Sequence, residues 1–204
     1  MLQPDFLAGL PLFLAIDLLL PFFLAPAYPG YCHLTQVMSV LGNAKAPLHL
    51  LYQIWLVLFG VVLFFSCFQI YGIVSQESHL LGLLLASVIA LYALGGCILS
   101  GFFSVGETKS LKSLSAKIHG YGSVLGFTLL LLAPLFLGLY FLQAAHSLLA
   151  ILSLACFGLA VFFFSLFIMA DKPQYQGSVI ALEGLWQRLS LLCMYLPLAI
   201  FCLG

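Results

Sequence analysis

The 204-residue chain is 64% hydrophobic and only 6% charged, with six basic side chains against six acidic ones and a mean hydropathy of +1.22. A soluble domain carries about 25% charged residues, so this chain lacks the means to cover a water-facing surface, and a soluble fold is excluded. The even charge balance also speaks against nucleic acid as a partner, which requires a basic excess.

A membrane span needs about 20 apolar residues, and six stretches supply them: residues 6–27, 48–73, 80–104, 121–143, 147–170 and 183–203. The expected fold is all-α, a single six-helix transmembrane domain over residues 1–204 with one or two short interfacial helices. The first span holds Pro11, Asp17 and Pro21, followed by an Ala25-Pro26-Ala27 that looks like a signal cleavage site. No Lys or Arg precedes it and the apolar run is long for a signal core, so it reads as a retained span. The fifth is apolar on every side, as a lipid-exposed helix would be. Trp186, at the start of the sixth, suits the interfacial aromatic belt.

The connections alternate in length. The second and fourth are short, while the first, third and fifth are long, and with six spans all three long ones fall on one face. Tyr28 to Pro47 is the most elaborate. Leu34, Val37, Met38 and Leu41 recur at helical spacing, and Gly42-Asn43 and Pro47 follow. That spacing predicts a short amphipathic helix at the membrane surface, with Gln36 and Ser39 on its polar face. In the third connection, Leu111, Leu114 and Ile118 face away from Lys109, Lys112 and Lys117. This fits either a basic interfacial helix or a solvated loop. All six basic residues (Lys45, Lys109, Lys112, Lys117, Lys172 and Arg188) lie in or beside long connections, which by the positive-inside rule puts those connections in the cytoplasm.

Five of the six cysteines fall inside apolar runs and no C-x-x-C spacing occurs, so the sequence supports packing cysteines rather than a redox or zinc motif. It likewise has no phosphate-cradling Gly loop and no Ser-His-Asp pattern, and no cofactor is expected. The polar groups of the long-loop face are His33, Gln36, Ser39, His49, Gln53, Glu107, His119, Gln187 and Arg188, with Asp17 deeper. A carboxylate within a bilayer usually pairs or serves a pathway. Two readings of Asp17 stand side by side: a partner for Arg188, reaching inward from span six, or a hydrogen-bonded tie between spans.

The run PGYCHLTQVMSVLG at residues 29–42, followed by Ala46-Pro47, resembles the signature of a bacterial and archaeal multi-pass membrane family, domain of unknown function 998. Pro29, Gly30, Tyr31, His33, Gln36, Ser39, Leu41 and Gly42 stand at matching positions. Gly101-Phe102-Phe103 with His119, and GLWQR at residues 184–188, are similar to two further pieces of its pattern. The family's Glu before Leu41 is Val40 here, and its Phe-Pro with a nearby Asp is Phe103-Ser104 with Glu107. The resemblance implies a six-span fold, no established activity, and an orientation opposite to the one the charge count gives.

The sequence therefore points to an integral protein of a bacterial inner membrane with a polar site at one face. The candidate ligand-binding residues are Asp17, His33, Gln36, Ser39, His119 and Arg188. The leading expectation is non-enzymatic: binding of a lipid or other apolar ligand, or service as a subunit of a membrane assembly. The alternative is a metal-dependent hydrolase of lipid headgroups, with His33, His49 and His119 converging on zinc, or haem held by His49 and His119.

Overall fold

The computed structural model describes residues 6–103 and 113–204. Six helices are long and apolar enough to cross a membrane. They are α1 (Phe6–Leu24), α2 (His49–Val74), α3 (His79–Phe102), α4 (Leu114–Gln143), α5 (Ser147–Ala170) and α6 (Glu183–Leu203). No strand occurs among the described residues. Each helix packs on its neighbours in chain order and α6 closes back on α1, so the six form a ring. Phe59, Leu63, Leu85, Ile89, Leu130, Leu137, Met194 and Leu198 fill its core and are all but inaccessible. Leu12, Phe23, Leu50, Phe68, Leu148 and Phe162 face outward and are exposed. That arrangement suits hydrocarbon as the solvent.

Two spans depart from regular α-helix, and both departures shape the interior. α3 is π-helical over Tyr92–Leu99, and a π stretch inserts a residue and re-aims the side chains beyond it. Just beyond it, Ser100 Oγ donates back to the Gly95 carbonyl at 2.9 Å and lies 2.7 Å from Ser123 Oγ of α4. α4 breaks at Leu131–Leu132 into Leu114–Leu130 (α4a) and Ala133–Gln143 (α4b). Pro134 has no N–H to continue the ladder and sits where that costs nothing, in the first turn of α4b. After the break the halves part company: α4a packs on α3, whereas α4b packs on α3, α5 and α6.

α4a starts at Leu114 rather than near residue 121 because Ser113 caps it, its side chain accepting from Ala116 N at 3.0 Å. Leu114, Lys117 and Ile118 thus belong to a span and not to a separate surface helix. Leu111, Lys109, Lys112 and Glu107 lie outside the described residues. The remaining boundaries fall within a few residues of those expected. α5 is the least buried of the six, and the face it does bury is built of small residues, Ala150, Ser153, Cys156 and Ala160. This is the usual composition of a helix contact in a membrane, where backbones gain by close approach.

The backbones of α3 and α4a approach each other closely. A Cβ added to Gly126 would meet Gly96 N at 2.8 Å and Tyr92 Cα at 3.1 Å, and one added to Gly95 would meet the Gly122 carbonyl oxygen at 2.5 Å. Since the obstacles are backbone atoms, Gly126→Ala should force the helices apart. It is expected to lower stability by about 1–3 kcal/mol, read as thermal unfolding in nonionic detergent. Gly158→Ala on α5, where an added Cβ meets nothing within 4 Å, should be neutral or slightly stabilising.

Candidate functional site

The first long connection folds inward against the start of α6. Pro29-Gly30 makes a turn in which Gly30 takes φ +83° and Tyr31 N donates to the Tyr28 carbonyl at 3.1 Å. The Cys32 amide donates to Gln36 Oε1 at 2.7 Å and the Gln36 amide to the Cys32 carbonyl at 2.9 Å, closing a second turn. The expected amphipathic α-helix over residues 34–41 is instead this turn followed by a five-residue 3₁₀ helix, Met38–Gly42. Met38 and Leu41 point inward as the spacing predicts, but Leu34 is exposed. The carbonyls that an α-helix would have bonded internally are turned toward Arg188.

Arg188 organises this face. Its Nη1 donates to the carbonyls of Gly184 at 2.7 Å, His33 at 2.8 Å and Gln36 at 3.3 Å. Its Nη2 donates to the Tyr31 hydroxyl at 2.7 Å and lies 3.3 Å from His33 Nδ1. The guanidinium carbon stands 6.0 Å from the centre of the Phe22 ring, on which His33 also stacks at 4.4 Å. An arginine only donates, so His33 Nδ1 accepts and the imidazole is neutral. Burial, and secondarily the Arg188 charge, hold His33 below its ordinary value. Burial likewise pushes the Tyr31 phenol above its ordinary value against the pull of Arg188, keeping the proton it donates to the Val37 carbonyl at 3.3 Å.

Neighbouring bonds complete the clamp. Met38 N donates to Gln187 Oε1 at 2.8 Å, Leu185 N to the Leu34 carbonyl at 3.0 Å, and Gln53 Nε2 to the Gly42 carbonyl at 3.0 Å. Gly184 has no room for a side chain, because a Cβ there would collide with the carbonyl oxygens of Gln36 and His33. The runs PGYCHLTQVMSVLG and GLWQR are therefore two halves of one clamp. This observation joins the pieces of the resemblance into one structure. The chain belongs to the DUF998 family. The family model, described as a protein of unknown function, matches residues 7–204. No curated protein and no solved structure matches the chain.

Behind the clamp this DUF998 protein encloses a cavity of about 400 Å³ to which all six helices contribute. Val37, Met38 and Ser39 roof it. His119, Ser123, Glu183 and Gln187 make its loop-side wall polar, and Asp17, Tyr52 and Tyr92 lie along its inner wall. Its far side is apolar and runs between α4a and α5, where Phe127 meets Phe164 and Phe167 with ring centres 5.4 and 5.8 Å apart. Val124 and Ile168 line the cavity and are also exposed on the outer surface, at 67% and 51%. The cavity thus reaches the lipid-facing side of the bundle through the seam where the two helices part.

Asp17 is not the partner of Arg188. It is buried, and its carboxylate accepts from Trp55 Nε1 and from the Tyr195 hydroxyl, each at 3.0 Å. The proton of Tyr195 is thereby committed, so Tyr92, hydrogen-bonded to Tyr195, is the donor of that pair. One polar chain ties α1, α2, α3 and α6 together, in line with the tie reading of Asp17. Tyr52, Tyr92, Tyr195 and Trp55 went unread as site residues. The signal for Tyr92 and Tyr195 was their position in mid-span, far from the interface where tyrosine usually sits.

Of the six candidate residues, Asp17, Ser39 and His119 line the cavity, while His33, Gln36 and Arg188 form the clamp above it. The three histidines do not converge. His49 Nδ1 bonds the Ala46 carbonyl at 2.8 Å, His119 Nδ1 bonds the Phe103 carbonyl at 2.9 Å, and His33 faces Arg188. Among the described residues no three His, Cys, Asp or Glu side chains stand close enough to hold a metal ion together. A carbonyl can only accept, so the His119 nitrogen that faces the Phe103 carbonyl carries a proton.

The clamp generates two expectations. Arg188→Ala strips a charged donor from several carbonyls and should cost about 2–3 kcal/mol, with amide exchange rising first over residues 31–42. Arg188→Lys should recover only part, lacking the planar fork. The second concerns pH. His33 is held below its ordinary value, so the unfolded chain binds the proton more readily. Its contribution is present above the ordinary histidine range and is lost as pH falls through the depressed value. Thermal stability should therefore fall on mild acidification, and His33→Gln should flatten that slope.

Proposed function

We propose that this protein binds a membrane-dissolved amphipath, non-enzymatically, in the cavity beneath the clamp. The observation that carries the reading is the cavity's own polarity: a polar wall at the loop face and an apolar side that reaches the lipid surface between α4a and α5. A volume of about 400 Å³ falls within the roughly 300–1,000 Å³ of small-molecule sites. The aromatic seam of Phe127, Phe164 and Phe167 gives way by side-chain rotation alone, so a chain can enter from the bilayer without unfolding a helix. Binding rather than chemistry is favoured because the polar groups are committed to other protein groups. Ser100 serves Gly95, His119 serves Phe103, Tyr92 serves Tyr195, and Tyr195 serves Asp17. Membrane lipids are accordingly the partners proposed.

The test is extraction and quantitation of amphipaths that remain bound through purification in a bulky detergent. Wild-type protein should carry one stoichiometrically. Val124→Trp, at an exposed position on the seam, should lose it while its thermal unfolding stays close to wild type. A wild-type protein free of any bound amphipath, or a Val124→Trp variant that retains it, would overturn the reading.

A further inference from the structure

The charge of the headgroup follows from Asp17; this step rests on the binding reading above. Asp17 is 3% exposed and lines the cavity, about two turns in from the loop-side end of α1. Its two oxygens accept from Trp55 Nε1 and from the Tyr195 hydroxyl, each at 3.0 Å. A side chain that accepts on both oxygens is the ionised carboxylate, and each oxygen keeps a further lone pair. Both of these partners are neutral. Among the described residues no Lys or Arg lines the cavity. Arg188, next in sequence to the lining residue Gln187, spends both terminal nitrogens on the clamp.

A hydrogen-bonded tie between helices needs an acceptor but not a charge, and an amide would supply one. A carboxylate among apolar walls carries a desolvation cost that neutral donors offset only in part and that an opposite charge offsets further. The cavity beside Asp17 has room for that opposite charge. Tyr52, Tyr92 and Phe127 line the same space, and aromatic rings attract a cation that comes over their faces. Glu183 also lines the cavity but has a partner of its own; the selectivity is assigned to Asp17 alone.

We propose that the ligand is a single-chain amphipath with an ammonium headgroup, held by the Asp17 carboxylate. The experiment uses the full chain in nanodiscs of zwitterionic lipid, at a pH between the carboxylate and alkylamine ranges. The probes are tritiated dodecylamine and dodecan-1-ol, which share a chain and can both donate a hydrogen bond but differ in charge. Dodecylamine should bind saturably and at least about tenfold more tightly than the alcohol, the margin of a charge-assisted hydrogen bond over a neutral one. Asp17→Asn, which keeps an acceptor for Trp55, should abolish that preference and leave alcohol binding close to wild type. Ser39→Lys, on the cavity roof, leaves every Asp17 bond in place and tethers a competing ammonium in the same space. It should cut the preference for the amine, whereas the uncharged Ser39→Met should not. Equal wild-type affinities for the two probes would overturn the headgroup inference and leave the binding reading standing. A preference undiminished in Asp17→Asn would overturn the role of Asp17, and if that variant does not fold, an undiminished preference in Ser39→Lys would do the same. Absence of saturable binding by either probe would remove both this inference and the reading beneath it.

Discussion

A single cation held by neutral oxygens sets the shape of the loop face. Arg188 has no carboxylate beside it among the described residues. Its terminal nitrogens are met by three carbonyls, a phenol and an imidazole, and its Nε is buried without a partner. Those carbonyls come from a connection that would otherwise have to satisfy its own backbone at the membrane surface. Drawing them together folds the connection inward over the ring of helices. The 3₁₀ segment that roofs the cavity starts immediately beyond Val37, whose own carbonyl is held by Tyr31. Loop, clamp and cavity roof are thus one mechanical unit, pivoting on a side chain 152 positions away from Gln36 in the chain.

The cavity itself has a different origin. Gly95, Gly122 and Gly126 let α4a lie backbone to backbone on α3. Pro134 ends the helix ladder just below, which frees α4b to stay with α5 and α6. The wedge left between α4a and α5 is lined by the rings of Phe127, Phe164 and Phe167. The π stretch of α3 turns Tyr92, Gly96 and Ser100 toward the same space. Glycine, proline and a helix irregularity together make room in a bundle that six ideal helices would have filled.

Much of this was legible in the sequence, and the reasons for the rest are specific. The six spans follow from hydropathy, because lipid accepts only internally bonded helices. The two motif clusters could be found as concentrations of polar and glycine residues on one face. Their relation could not, since Arg188 reads equally well as a free fork for an anion or as a clamp. Only the positions of the His33 and Gln36 carbonyls decide between them. Asp17 was legible as an outlier, but its partners Trp55 and Tyr195 look like ordinary apolar residues until α2 and α6 are brought beside α1. The start of α4a lay in the Ser113 cap, a one-residue signal overridden by the nearby lysines. The helical spacing of residues 34–41 was real as a pattern of burial for Met38 and Leu41. It failed as secondary structure because Arg188 outcompeted the helix for its carbonyls.

The central claim is that the loop-face cavity is a ligand site open to the bilayer, and a density map of the protein in lipid nanodiscs tests it most directly. The account predicts elongated non-protein density between Phe127 and Phe164, ending beneath Ser39. A map in which α4a has closed onto α5, with Phe127 filling the space and no density inside, would contradict it.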